Sequence, residues 1–139
     1  MSDVLGVLDP AAAPSLRWGI IAPGGIANKF AEAVSQFTAG QVVAVSSRDE
    51  GRARSFAERH GIPRAYAGHD ALGADPEVDA VYVASPHSAH REHAVAMARA
   101  GKHVLIEKAL ARNLVEVNEI FDSARGAGVF AMEAMWTRH

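Results

Sequence analysis

Lys108 directly follows Glu107 and the apolar run at 103–106, so a strand ending there would aim its ammonium at a ligand rather than along a helix flank. A lysine so placed can hydrogen-bond a substrate hydroxyl, stabilise the negative charge that develops as hydride leaves the carbon, and relay the proton. A strand-edge lysine paired with Glu107 has the same spelling. His87 and His90 stand behind Ser85 and Pro86 at the start of a helical stretch, where imidazoles can contact a ribose or a nicotinamide. With His93 one turn further on they could also face a metal, but a metal in the crevice would want a carboxylate or third ligand that nothing in the sequence specifies for that role, and no metal is expected. Ser85 precedes a proline with no base at a telling spacing, no G-x-S-x-G elbow occurs and cysteine is absent, so nucleophilic catalysis is disfavoured.

Anion binding is the second chemistry, spelled by Ala22-Pro23-Gly24-Gly25-Ile26-Ala27 between an apolar segment and an amphipathic one. A helix that begins at such a turn directs unpaired N–H groups and the positive end of its dipole at one point, so a phosphate there needs no cationic side chain. The turn is a degraded G-x-G-x-x-G/A, with Ala22 in the first glycine position, Gly24 in the second and Ala27 in the third. An ordinary strand-to-helix connection can look the same. Dinucleotide sites for NAD usually carry an acidic residue at the end of the second strand, and this chain has Ser46-Ser47-Arg48 instead. An arginine suits an extra 2′-phosphate, because a charge-assisted hydrogen bond contributes about 1.5–3 kcal/mol, or roughly ten- to hundredfold in affinity. NADP is therefore expected over NAD, and S-adenosylmethionine is disfavoured. The alternative is a solvated Arg48 paired with Asp49 or Glu50.

The 139 residues are 49% hydrophobic and 22% charged, which fits one domain with a real core. A net charge of −2 with scattered Lys and Arg leaves no basic face for nucleic acid or an anionic membrane. The apolar runs are strand-sized, far short of the roughly 20 residues of a membrane span, and the first residues lack the basic start of a secretion signal. Together with the absence of cysteine, this predicts a soluble cytoplasmic protein.

Alternating elements must position these groups. Residues 1–15, with Pro10-Ala-Ala-Ala-Pro14, show no periodicity and read as a flexible arm. Strands are predicted at 16–22, 41–47, 64–67, 78–84, 103–106 and 129–133. The first helix carries Ile26, Phe30, Val34 and Phe37 along one stripe and is stopped by Gly40; the second carries Phe56, Ala57 and His60. A weak helical turn is expected at 70–73, a helix at 89–100 with Ala94, Met97 and Ala98 inward, and another marked by Leu114, Val117, Ile120, Phe121 and Ala124. His60, His69 and His103 read as surface or packing residues. Parallel strands need crossover helices, and right-handed crossovers cover both faces, so the order predicts a doubly wound, mostly parallel α/β domain of Rossmann type. Ligands of such sheets lie outside the carboxyl ends of the strands. That rule selects the turn at 22–27, Ser47 with Arg48, Ser85 to His87, Glu107 with Lys108, and the region from Glu133 to Trp136.

Taken together and in order, Gly19-Ile-Ile-Ala22-Pro-Gly24-Gly-Ile-Ala27, Ser47-Arg48-Asp49, Ser85-Pro86-His87-Ser-Ala-His90 and Glu107-Lys108-Ala109 resemble the Gfo/Idh/MocA family of oxidoreductases over residues 16–139. They correspond to that family's glycine turn, its Ser-Arg cofactor discriminator, its Thr-Pro-Asn-x-x-His loop and its Glu-Lys-Pro motif. Met132-Glu-Ala-Met-Trp136-Thr-Arg138 looks like the branch containing dihydrodiol dehydrogenases and NADP-linked aldose dehydrogenases. The resemblance implies that Lys108 is the catalytic lysine. It also implies an NADP site lined by Ala22, Pro23, Gly24, Gly25, Ile26 and Ala27, by Ser47 and Arg48, and by His87, His90 and Glu107. Ser85 and Trp136 join that list by their place at strand ends. Ala22 and Ala109 depart from the usual glycine and proline, so the turn and the presentation of the lysine are expected to differ slightly.

Members of the family continue into a second α/β domain that supplies the substrate pocket and a proton-exchanging His or Asp. Residues 16–139 would be the cofactor domain, with the substrate domain absent. Hydride transfer to or from a small polyol, sugar or cyclic diol would then need that second domain, because positioning the carbon against the nicotinamide contributes several kcal/mol to the barrier reduction. The isolated chain is expected to bind NADP with little turnover; a non-catalytic NADP(H)-binding module or truncated remnant is the alternative. A bare sheet edge at 129–136 should favour self-association.

Overall fold

The computed structural model describes residues 9–134. In chain order the elements are β1 (Arg17–Ile21), α1 (Gly25–Phe37), β2 (Gln41–Ser47), α2 (Glu50–His60), β3 (Arg64–Ala67), α3 (His69–Ala74), β4 (Ala80–Val83), α4 (His90–Arg99), β5 (His103–Glu107), α5 (Leu114–Ala127) and β6 (Ala131–Ala134). Short 3-10 turns precede β1, at Pro10–Ala12, and α4, at His87–Ala89. The strands form one sheet in the order β3-β2-β1-β4-β5-β6, and every pairing is parallel. The chain winds outward from β1 to β3, returns to the middle and winds outward again from β4 to β6. A crevice therefore opens between the carboxyl ends of β1 and β4, where the winding reverses.

Alternation along the central strands divides the core in two. Ile21, Val81 and Val83 pack with Leu72, Met97 and Ile120 on the face of α3, α4 and α5. Ile20 and Tyr82 pack with Ala27, Ala31 and Phe56 on the face of α1 and α2. Burial on both faces is why these strands read as unbroken apolar runs. Gly19 is required by closeness: a Cβ there would sit 3.0 Å from Leu72 Cδ1 and 3.2 Å from Val78 Cγ1.

The elements depart from expectation in a few places. The buried residues of α1 are Ala27, Ala31 and Val34, whereas Phe37 is 62% exposed and Phe30 lies half-buried, stacked on Tyr82 with ring centroids 4.0 Å apart. The alanines let the helix backbone lie close on the sheet, which leaves the larger rings at its margin. The helix also ends before Gly40, at Phe37, because the Thr38 hydroxyl donates to the Val34 carbonyl (2.7 Å) and closes the last turn. The weak turn expected at 70–73 is the helix α3, and Leu114 is exposed rather than inward. Capping fixes the other helices: the Asp49 carboxylate accepts from the N–H groups of Gly51 and Arg52, Asn113 accepts from Glu116, and Gly61 and Gly128 close their helices at φ of 66° and 70°. Phe130 and Met132, at the edge strand β6, are exposed.

Candidate functional site

Ala22 leaves β1 with φ at 70°, in the left-handed region where a Cβ is unfavourable and glycine is at ease. Its N–H donates to the Ser46 carbonyl (3.0 Å) and its own carbonyl accepts from Gly24 (2.9 Å), which ties the turn to the end of β2. Gly24 caps α1 with no side-chain hydrogen bond, and the first turn of α1 carries no acidic residue. A Cβ at Gly24 or Gly25 would meet no heavy atom within 4 Å, so the space beside the turn is open. The first N–H groups of the helix are thus offered to an anion with no local carboxylate competing. The residues present fit a nucleotide phosphate.

The turn is one wall of a cavity of about 700 Å³ over the carboxyl ends of β1, β2 and β4. Ala22, Pro23 and Gly24 line it from β1, Ser47, Arg48 and Arg52 from β2 and α2. Ser85, Pro86, Ser88 and Ala89 line it from the loop after β4, and His69, Glu92 and His93 from α3 and α4. Its size suits a cofactor. Ser47 is nearly buried and its hydroxyl accepts from Asp49 N–H (3.2 Å). Neither neighbour pairs with Arg48: Asp49 caps α2, Glu50 pairs with Arg54 (2.7 Å), and exposed Arg48 has no ion-pair partner among the described residues. A second hollow of about 430 Å³ lies between α4 and α5, away from the strand ends, and its Arg91 and Glu119 are paired with each other.

Other residues singled out in the sequence stand off the cavity wall. Gly25 is exposed, Ile26 is half-buried and Ala27 faces the sheet. His87 is exposed in the 3-10 turn, edge to face with His90 at 5.8 Å between centroids. His90 is 1% exposed, with Nε2 2.8 Å from the Ser85 carbonyl and Nδ1 2.8 Å from the Ala109 carbonyl, so it braces two loops of the site from behind. Glu107 accepts a hydrogen bond from the Tyr82 phenol, whose pKa is driven up by burial and then by that carboxylate. Lys108 is exposed at the end of β5 with no ion-pair partner among the described residues, and the Lys108–Ala109 peptide is cis. Leu110 N–H donates to Glu133 (2.6 Å), which joins this loop to β6. Trp136 lies outside the described residues.

The cavity also contains residues that sequence reasoning passed over. His69 was expected as a surface or packing residue and Arg52 was not singled out; both are on the wall. His69 Nδ1 lies 2.6 Å from the Ser46 hydroxyl, and His93 Nδ1 2.8 Å from the Ser85 hydroxyl. The two rings meet edge to face with centroids 4.4 Å apart and planes at 70°. Burial lowers both pKa values; Arg48 is the next influence on His69, and His69 the next on His93, which is pushed down to about 4. The available signal was a serine at the end of each of two buried strands. Among the described residues no group of three or more metal-ligating side chains is gathered.

Residues 16–135 match the Gfo/Idh/MocA family, described as an oxidoreductase family with an NAD-binding Rossmann fold. The trans-1,2-dihydrobenzene-1,2-diol dehydrogenases of Mus musculus and Danio rerio are 44% and 45% identical over 126 residues, which cover 89% of this chain and 38% of theirs. KijD10, a 3-ketoreductase from Actinomadura kijaniata solved with NADP and TDP-benzene, superposes with a TM-score of 0.81 at 37% identity, over 86% of this chain and 37% of that one. An NAD-binding oxidoreductase from Klebsiella pneumoniae gives 0.79 at 32% identity, over 87% and 34%. The chain therefore spans well under half the length of these relatives. No helix among the described residues is long and apolar enough to cross a membrane. Sequence likeness and the winding of the sheet agree, and the chain belongs to the Gfo/Idh/MocA oxidoreductases, whose NAD-binding Rossmann fold it contains.

Proposed function

We propose that this domain binds NADP in preference to NAD and serves hydride transfer between the nicotinamide and a sugar or cyclic diol. Arg48 carries the reading. It is a guanidinium with no ion-pair partner among the described residues, on the wall of the cavity that also holds the open turn at Ala22 to Gly24. The first turn of α1 would hold the pyrophosphate, and Arg48 with Ser47 the 2′-phosphate. Bound NADP supplies the nicotinamide that accepts or returns hydride. Lys108, at the end of β5, would hold the substrate hydroxyl and its proton at Nζ, with Glu107 fixed beside it by Tyr82. The printed names of the relatives, diol dehydrogenases and an NADP-bound ketoreductase, support this direction.

The proposal extends to how residues 1–139 behave alone: cofactor binding without efficient turnover, in a reducing cytoplasm, with self-association through exposed Phe130 and Met132. A fluorescence titration with NADPH and NADH, on the parent and on Arg48→Ala, tests the cofactor assignment. The parent should bind NADPH roughly ten- to hundredfold more tightly, and the substitution should remove that difference. Equal affinity for both cofactors in the parent would sink it.

A further inference from the structure

We propose that the Ser46–His69 and Ser85–His93 couples read the hydrogen-bonding edge of the nucleotide's base, which makes His69 and His93 specificity-determining residues for a purine. The inference rests on the nucleotide-binding reading above and adds the base to it. Connectivity supplies the first argument. A ribose held by Ser47 and Arg48 carries its base within a few ångströms of its 2′-oxygen. The charge of Arg48 is felt by both imidazoles, and His69 and His93 line the same cavity. The base of a nucleotide anchored at the α1 turn therefore comes to rest beside them.

Orientation supplies the second argument. Each imidazole makes its hydrogen bond through Nδ1, at 2.6 Å to Ser46 and 2.8 Å to Ser85, and edge-to-face contact fixes the rings against each other. Among the described residues no fully buried side-chain nitrogen or oxygen lacks a partner. Neither Nε2 has a protein partner among the described residues, so both keep contact with solvent, on two residues that line the cavity.

Chemistry supplies the third. A serine hydroxyl can rotate to donate to Nδ1 or to accept from it, so each couple can present its Nε2 as donor or as acceptor. A purine edge sets one beside the other; adenine has an amino donor next to the N1 acceptor. Charged rings could only donate. Burial keeps the pair neutral, helped by Arg48 and, at His93, by the neighbouring His69 and His90, and opposed by Glu92 on α4 and, at His69, by Asp70 on α3.

The test compares NADPH with the reduced 1,N6-etheno derivative of NADP, in which a two-carbon bridge closes the base edge. It uses the parent chain, His69→Phe and His93→Phe, the substitutions keeping an aromatic ring in place. The parent should bind NADPH about tenfold more tightly than the etheno derivative, each variant should lose about tenfold in NADPH affinity, and the gap between the ligands should close. Equal binding of the two ligands by the parent overturns the proposal without need of a variant. NADPH affinity unchanged in both folded variants overturns it as well. A parent that binds neither NADPH nor NADH overturns the nucleotide reading itself, and this inference with it.

Discussion

His90, the first residue of α4, holds its Nδ1 2.8 Å from the carbonyl of Ala109, nineteen residues on, and so anchors the loop that presents Lys108. Its Nε2 stands at the same distance from the Ser85 carbonyl. His90→Leu should fill much of the volume while withdrawing the imidazole from the buried Ser85 carbonyl and from the Ala109 carbonyl, at a cost of about 1–3 kcal/mol. Urea unfolding measures this. A loss below about 0.5 kcal/mol would mean that the two contacts contribute nothing to the fold.

Ala22 carries a Cβ at φ 70°. A left-handed alanine costs about 1–2 kcal/mol, and glycine gives back about 0.4–1 kcal/mol through the freer unfolded chain. Ala22→Gly should therefore stabilise the domain by roughly 0.5–1 kcal/mol, read as a rise in the midpoint of thermal unfolding. A lower midpoint would contradict the strain assigned to the turn.

His93 makes stability depend on acidity. Its ordinary pKa of 6.5 falls to about 4 in the fold, first because it is buried and then because His69 is adjacent. Between those values the unfolded chain binds more protons than the folded one, so stability is full above about pH 6.5, declines as pH falls towards 4, and levels off below. Thermal midpoints measured across that window should fall in the parent and fall less in His93→Phe. Identical slopes would show that His93 titrates normally.

Asp75, 5% exposed, accepts from Arg64 Nε (2.7 Å), the Tyr66 hydroxyl (2.9 Å) and Glu77 N–H (2.8 Å). Burial alone would raise its pKa, but these donors outweigh burial and hold it below the usual 3.8. Its contribution is therefore present above that value and is lost only in stronger acid, clear of the His93 window. Asp75→Asn should cost about 2–4 kcal/mol near neutral pH, since it leaves Arg64 uncompensated and turns one acceptor into a donor. Denaturant unfolding of Asp75→Asn beside Tyr66→Phe separates the charge from one hydrogen bond; equal losses would refute the ranking.

The succession of strands and helices and the inward face of α4 were legible because β1, β4 and β5 are apolar runs of strand length, and Ala94, Met97 and Ala98 recur at helical spacing. The buried face of α1 was not, since its alanines carry a weaker signal than Ile26 or Phe37 yet suit a closer approach. That the turn at 22–24 and Arg48 would face one cavity could be read from sequence because strand ends are local features. The imidazole pair could not. Ser46 and His69 are 23 residues apart, and they meet only once β3 is laid beside β2.

The crevice draws its walls from the ends of β1, β2 and β4 and from the first turns of α3 and α4, which are scattered between positions 22 and 93. No fragment shorter than that span can form it, and separating β1 from either neighbour dissolves it. An occupied crevice would accordingly slow amide exchange across the whole central sheet rather than in one loop. By mass action, a nucleotide at a hundredfold excess over its dissociation constant adds about 2.7 kcal/mol to global unfolding. The cell's supply of nucleotide would then set how long this protein survives its proteases.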